Sequence, residues 1–344
     1  MAIKIALVGY QGSGKSTLFS WLTKQAADPA LAHTTQSAMA EVPDARVKSL
    51  CDIYKPKKIT IASIEVVDTP GLLKSHEGNA ARLSQLRESG CLVMVIGAFS
   101  GSDPAAELQS FEEDLLLADL GIVSNRVEKL RESSKKPTKT RELEQAELAN
   151  LEPILAVLEQ GKHLRDQKFT EDQLKGIRSF QLFSQKPKLV ILNVADDEEN
   201  PEKHLAKVPE GTRAVAVRVR LEADLASMSP EDREAFRQEM GIPAFDREEL
   251  IRTLMDASGQ MLFFTAGEKE VRTWMIPQGA TAVEAAGSIH TDLARGFIRA
   301  EIMSCPDLIR LGSEREIKAN NLLRQEPKDY VIRDGDILNI KFSV

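Results

Sequence analysis

The stretch Gly9-Tyr10-Gln11-Gly12-Ser13-Gly14-Lys15-Ser16, followed by Thr17, decides the reading of this chain. It fits G-x-x-x-x-G-K-[ST] at every position. Glycines let a backbone wrap closely around a polyphosphate, with positive φ where the wrap needs it. Successive N–H groups then point inward at the anion, and the following helix presents its positive end to the same charge. The expected phosphate-binding set is Gly12, Ser13, Gly14, Lys15, Ser16 and Thr17. Lys15 is expected to reach the β- and γ-phosphates and to serve catalysis, and Ser16 to ligate Mg2+. The flanks agree: an apolar strand at 3–8 precedes the loop, and Leu18-Phe19-Ser20-Trp21-Leu22 opens an amphipathic helix after it.

Two further motifs lie where a nucleotide switch needs them. Ile64-Glu65-Val66-Val67-Asp68-Thr69-Pro70-Gly71 reads as a strand ending in D-x-P-G. Asp68 is expected to hold the Mg2+ shell, and the Gly71 N–H to contact the γ-phosphate so that the loop senses hydrolysis. A switch threonine belongs between the two motifs; Thr34 and Thr35 are both candidates, and Thr35 is favoured. Leu189-Val190-Ile191-Leu192-Asn193-Val194-Ala195-Asp196 ends in N-V-x-D, close to the guanine-reading N-K-x-D. Asn193 and Asp196 stand, but valine replaces the lysine that stacks on the base. An aspartate accepts hydrogen bonds from guanine N1–H and the exocyclic amine, and adenine has no N1–H, so the residues leave the base undecided. Leu72 occupies the catalytic position after D-x-x-G, where Ras-like proteins place a glutamine, and a leucine cannot polarise water. His76 is the nearest group suited to that task. Slow intrinsic turnover is therefore expected.

The 344 residues are 42% hydrophobic and 28% charged, which excludes wholesale disorder and a collagen-like chain. A net charge of −7 argues against a globally basic nucleic-acid binder. Three widely spaced cysteines, Cys51, Cys91 and Cys305, make no disulfide framework and point to a reducing compartment. No apolar run is long enough to span a membrane, and a cytoplasmic protein without membrane contact is expected. Apolar runs at 3–8, 59–67 (two pieces or one long edge strand), 92–96, 189–194 and 214–219 alternate with helical stretches, the pattern of βαβ crossovers in a mainly parallel sheet. The interval 103–187 lacks strand-like runs. Leu108, Phe111, Leu115, Ala118 and Ile122, then Leu148, Leu151, Leu155 and Leu158, follow 3–4 spacing on either side of a polar turn at 133–139 containing Pro137. This reads as an inserted antiparallel helical hairpin. Its tip, residues 126–141, carries seven basic and two acidic side chains, which suits RNA phosphate. Beyond Phe264 a β-rich module follows, with strands at 271–276, 297–303, 330–332 and 337–342 and helices at 281–286 and 306–311. Thr281 and Glu284 sit at capping-box spacing.

These residues together resemble the YchF-type Obg-like ATPases. The resemblance runs through G-x-x-x-x-G-K-S-T, D-x-P-G-L, N-x-x-D and Phe264-Thr265-Ala266-Gly267-Glu268-Lys269-Glu270-Val271-Arg272, and is most specific at Ala286-Gly287-Ser288-Ile289-His290-Thr291-Asp292 with Gly296-Phe297-Ile298-Arg299-Ala300-Glu301. It covers essentially the whole chain. It implies an α/β P-loop NTPase domain at 1–102 and 188–262, a helical insertion at 103–187 and a C-terminal TGS domain of β-grasp fold at 263–344. It also implies ATP preferred over GTP, Mg2+ with its ligands falling on Ser16 and Thr35, weak hydrolysis, and association with the ribosome and its RNA through the hairpin tip and TGS domain; a monomer is expected. The chain departs from the family in reading Asp196 where N-x-x-E is usual, in Arg218-Val219-Arg220 where relatives have Ser-Ala-Lys, and in lacking a histidine between Gly97 and Asp103. A GTPase of the same fold, or a nucleotide-sensing ribosome- or RNA-binding module with negligible catalysis, are the alternatives.

Overall fold

The structure is a computed structural model that describes residues 2–28, 30, 34–75, 79–84, 86–99, 103–135 and 139–343. The chain begins with β1 (Lys4–Val8), α1 (Lys15–Thr23), β2 (Gln36–Glu41), α2 (Ala45–Tyr54), β3 (Ile59–Thr60), β4 (Ser63–Asp68), α3 (Asn79–Ser84) and β5 (Cys91–Ala98). Two long helices follow, α4 (Pro104–Ser133) and α5 (Arg141–Glu159), then the short α6 (Glu171–Ile177). Next come β6 (Lys188–Val194), β7 (Ala214–Val217), α7 (Val219–Ala226), α8 (Pro230–Met240) and α9 (Arg247–Ala257). The last stretch holds β8 (Gln260–Ala266), β9 (Val271–Pro277), α10 (Ala282–Ile289), α11 (Thr291–Arg295), β10 (Phe297–Ser304), α12 (Cys305–Leu311), α13 (Glu314–Ala319), β11 (Arg324–Glu326) and β12 (Asp336–Phe342).

The first sheet has the order β2-β4-β1-β5-β6-β7. Its pairs β1–β5, β5–β6 and β6–β7 are parallel. Such strands are buried on both faces and so read as unbroken apolar runs; the first seven residues of β5 are all buried. The chain compacts as two units, one of Lys4–Ala38 and Val66–Phe245, the other of Met1–Ile3, Met39–Glu65 and Asp246–Val344.

Within the first unit, α4 serves two cores. Asp103 caps it by accepting the Ala105 N–H at 3.0 Å, and Pro104 opens it, as fits a position whose N–H has no helical partner. Leu108, Phe111 and Leu115 join the sheet core with Ala6, Val8, Tyr10 and Leu72. Further along, Val123, Val127 and Leu130 pack with Leu151, Ile154, Leu155 and Leu158 of α5. Arg126, near the end of α4, pairs with Glu147, near the start of α5, at 2.6 Å. Past α5, His163 and Arg165 reach Glu112 near the start of α4, at 2.8 and 3.1 Å. The two helices therefore run antiparallel, as the apolar spacing predicts.

The second unit carries the other sheet, in the order β11-β10-β12-β8-β9-β3. Antiparallel pairs β10–β11, β10–β12 and β8–β9 flank the parallel pair β12–β8. Ala282 and Ala285 of α10 pack with Phe263, Ala300, Ile302 and Leu338 on one face. The other face, with Phe264, Met303 and Ile337, is covered by Leu308, Ile317, and Val47 and Leu50 of α2. A helix grasped by a mixed sheet is the β-grasp arrangement. The capping box forms as spaced, with Thr281 and Glu284 each serving the other's backbone.

Several expectations differ from what forms. The run 59–67 forms two pieces, one of the two forms expected of it, but the pieces do not share a sheet: β3 lies beside β9 in the second sheet, and β4 belongs to the first. Segment 39–65 and α9 thus compact with the C-terminal module rather than with a block at 1–102 and 188–262, because β3, Val47 and Leu50 complete its edge and core. The expected strand 214–219 stops at Val217, since Val219 starts α7. At 330–332 only an isolated bridge, Val331 to Thr281, forms. Strands β2, β8 and β11 were not legible.

Candidate functional site

The phosphate loop leaves β1 and turns into α1 through two left-handed glycines, Gly12 at φ 85° and Gly14 at φ 98°. Gly14 is required twice over. A side chain there would be strained at that φ, and its Cβ would strike the amide of Asn193. Lys15 is buried. Its ammonium is held by the carbonyls of Gly9 at 3.2 Å and Tyr10 at 2.9 Å and by Ser13 Oγ at 3.5 Å. Burial pushes its pKa down to about 8, against the pull of the Asp68 and Glu107 charges. Ser16 and Thr17 lie exposed at the start of α1.

The segment after β4 lies alongside. Tyr10 and Leu72 form a parallel bridge, with Gln11 N–H donating to Leu72 O and Leu72 N–H to Gly9 O, both at 3.0 Å. Gly71 is explained by this approach: a Cβ there would lie 2.7 Å from Gln11 Cα. Its carbonyl accepts from Arg82. The Leu72 side chain is buried in the sheet core, so it shapes the loop and offers no polar atom. Asp68 is 5% exposed. Burial raises its pKa, opposed by hydrogen bonds from the Ser16 hydroxyl and the Thr69 amide and by the Lys15 charge. Its Oδ1 has no hydrogen-bond partner among the described residues. A buried carboxylate oxygen without a donor is costly unless a cation takes it up. That orphan beside Ser16 fits Mg2+, a hard ion held by a few oxygens.

Asn193, at the end of β6, is 7% exposed. Its Nδ2 donates to Ser13 O at 3.0 Å, and its Oδ1 accepts the Val219 N–H at 3.2 Å. It is a strut between the phosphate loop and α7. Asp196 is exposed, and its Oδ1 accepts the Leu221 N–H at 3.1 Å. The two thus border one loop that approaches the phosphate cradle from the side. Arg218, the departure from the family pattern, is buried and holds this loop by donating to Glu198 O at 2.7 Å. Thr34 and Thr35 are exposed just ahead of β2, and His76 lies outside the described residues. Tyr10, Asn79, Glu107 and Asp114, which also touch the loops, carried no sequence signal, because only the fold brings them together.

Comparison with known proteins accords with this geometry. Residues 4–126 match the family of 50S ribosome-binding GTPases, and residues 261–343 match the C-terminal region of YchF GTPases, a family described as of unknown function. The ribosome-binding ATPase YchF of Escherichia coli O157:H7 is 35% identical over 369 aligned positions spanning 100% of both chains. The chain belongs to the YchF/Obg-like ATPase family. The Bacillus subtilis ribosome-binding ATPase YchF is 31% identical over 100% of both chains, and the Obg-like ATPase 1 of Oryza sativa subsp. japonica 34% over 99% of this chain and 92% of its own. The solved structure of the Schizosaccharomyces pombe YchF GTPase superposes with a TM-score of 0.83 at 27% identity, covering 98% of this chain and 97% of that one. Family membership makes the chain a P-loop nucleoside triphosphatase. Among the described residues no helix is long and apolar enough to cross a membrane.

Proposed function

We propose that the chain binds ATP with Mg2+ at residues 12–17, hydrolyses it slowly, and uses its nucleotide state to govern association with the ribosome in the cytoplasm. The observation that carries this reading is the cradle itself: two left-handed glycines, a buried lysine lodged on loop carbonyls, and the orphan oxygen of Asp68 beside Ser16. Phosphate oxygens would take the loop N–H groups and draw the Lys15 ammonium off the carbonyls of Gly9 and Tyr10. Ser16 and Asp68, with Thr35, would hold Mg2+. When bound, the ion neutralises charge that develops on the phosphate oxygens. Gly71 N–H would meet the γ-phosphate, and His76 would orient water. Leu72 supplies no group for that step, which supports slow turnover without a partner.

GTP is the second reading, favoured by Asp196, a carboxylate of the length that pairs with guanine. Equilibrium titration of ATP against GTP, with Mg2+ or with EDTA, separates the two; equal weak binding of both would refute nucleotide recognition here. Lys15→Ala abolishes binding if the cradle is the site.

The ribosome reading draws on the relatives and on the hairpin tip. There Arg126 and Arg131 are paired with Glu147 and Glu152. Lys129, Lys135, Lys139 and Arg141 are exposed without an ion-pair partner among the described residues. Co-sedimentation with ribosomes that changes neither with nucleotide nor on neutralising Lys135, Lys136 and Lys139 would count against it. Phosphate release with and without ribosomes tests whether they raise turnover.

A further inference from the structure

The phosphate loop is tied to α4 by side chains that phosphate binding does not need. Cradling an anion takes backbone N–H groups and small residues. Tyr10 is instead a large aromatic inside the loop, buried, with its ring turned into α4. It meets Phe111 edge-on with ring centroids 5.7 Å apart. Its hydroxyl lies 3.0 Å from Ser110 Oγ and 3.5 Å from Asp114 Oδ2. The Tyr10 carbonyl, one peptide away, is the nearest acceptor of the Lys15 ammonium.

The same oxygen of Asp114 also accepts Asn79 Nδ2, at 3.3 Å. Asn79 clips the backbone of Leu73 from both sides: its Oδ1 accepts the Leu73 N–H at 2.9 Å and its Nδ2 donates to the Leu73 carbonyl at 3.0 Å. Leu73 is two residues past Gly71. One carboxylate therefore touches the phosphate loop through Tyr10 and reaches the loop after Gly71 through Asn79. Two turns earlier on the same helix face, Glu107 takes the Lys74 ammonium at 2.9 Å. Asp114 is buried, and a buried carboxylate is costly to keep unless its hydrogen bonds hold it.

We propose that Asp114 is a positioning residue of the nucleotide site, holding the phosphate loop through Tyr10 and the loop after Gly71 through Asn79 in the register that hydrolysis requires. This rests on the triphosphatase reading above. Alignment of that kind acts on the rate: misplacing a water or a γ-phosphate contact by a fraction of an ångström lowers kcat, while backbone and lysine contacts to the remaining phosphates hold affinity.

The test uses the full chain with Mg2+, measuring phosphate release, the affinity for a fluorescent ATP analogue, and melting temperature. Asp114→Ala lowers kcat at least fivefold while the analogue's Kd stays within twofold. Asp114→Asn, which keeps an oxygen acceptor for Asn79 and Tyr10, restores kcat to within twofold of the parent. Tyr10→Phe removes only the hydroxyl and gives a smaller fall in kcat at unchanged Kd; it decides the matter if Asp114→Ala does not fold. Parental kcat in Asp114→Ala, or in Tyr10→Phe where that variant decides, overturns the proposal. So does a kcat loss matched by an equal loss of affinity, or one that Asp114→Asn fails to rescue. A parent chain that neither binds the analogue nor releases phosphate refutes the triphosphatase reading itself, and the proposal falls with it.

Discussion

Replacing Asn193 by alanine removes one side chain and strands two backbone groups. Its Nδ2 serves the Ser13 carbonyl at 3.0 Å and its Oδ1 the Val219 N–H at 3.2 Å. Ser13, Asn193 and Val219 are all buried, so water reaches the vacated partners poorly. A buried polar group left without its partner costs about 1–3 kcal/mol. Two such groups, partly relieved by water entering the space left, give about 2–4 kcal/mol. The unit of Lys4–Ala38 and Val66–Phe245 contains Trp21, and the other unit contains Trp274; these are the chain's 2 tryptophans, so a Trp274→Phe background leaves fluorescence that reports this unit alone. At roughly 2–4 °C per kcal/mol for a unit of this size, its melting point falls by about 4–16 °C. Nucleotide binding must then rebuild the loop that the strut kept in place. Every 1.4 kcal/mol so diverted weakens binding about tenfold, and a rise in Kd of tenfold or more is expected. Melting within 1 °C of the parent together with a Kd within twofold would refute the assignment of Asn193 as a strut. Weakened binding with undisturbed melting would instead favour a direct contact with the nucleotide.

Lys15 must carry its proton to meet phosphate, and burial sets its pKa at about 8. Affinity for a triphosphate is therefore steady below that value and falls as pH rises through it, by about tenfold between pH 7 and 9; an affinity flat across this range in calorimetric titrations would contradict the placement. Glu112 meets His163, Arg165 and Lys188. Although burial raises its pKa, the hydrogen bond from His163 and the charge of Lys188 outweigh it and hold the carboxyl at about 2. Its contribution, on the order of 3 kcal/mol, is present above the ordinary glutamate range and is lost as pH falls towards 2. Glu112→Gln should accordingly flatten the acid limb of a stability-versus-pH curve, and an unaltered limb would rule the cluster out as its source. Asp44, fully buried, caps α2 through the Arg46 N–H and pairs with Arg46 and Arg252. Asp44→Ala should destabilise its unit by roughly 3 kcal/mol, read by Trp274 fluorescence in denaturant with Trp21→Phe as background; a midpoint unmoved from that background would dismiss the cap.

What was legible in the sequence followed from local demands. Gly12 and Gly14 are forced by backbone sign and by the nearness of Asn193, so their spacing carries the loop without help from the rest of the chain. The buried parallel strands announce themselves as apolar runs. The 3–4 spacing gave both long helices, and Leu151, Leu155 and Leu158 of α5 do build the hairpin core; the α4 residues read from the spacing, Leu108, Phe111 and Leu115, pack on the sheet instead, and Val123, Val127 and Leu130 take their place in the hairpin. What escaped depends on partners far along the chain. β2 is built from Gln36, Ser37, Ala38, Met39, Ala40 and Glu41, small and polar residues whose strand form comes from its neighbour rather than from its own preference. Nothing between Ile59 and Val67 marks the point where the chain passes from one sheet to the other. Asn193 stands out in the sequence at the end of its strand, but its engagement of Ser13 and Val219 was not legible there, and the grouping of Tyr10, Asn79 and Asp114 leaves no periodicity to read.

The pairing of β3 with β9 sets a timetable for synthesis. Thr60 is opposite Arg272, so about two hundred further residues must leave the ribosome before that edge can close. At 5–20 residues per second, Val47 and Leu50 wait on the order of 10–60 s for Phe264 and Ile337 to cover them. Through that interval α2 offers its greasy side to any chaperone at the exit tunnel, and the C-terminal module is the last part of the polypeptide to become native.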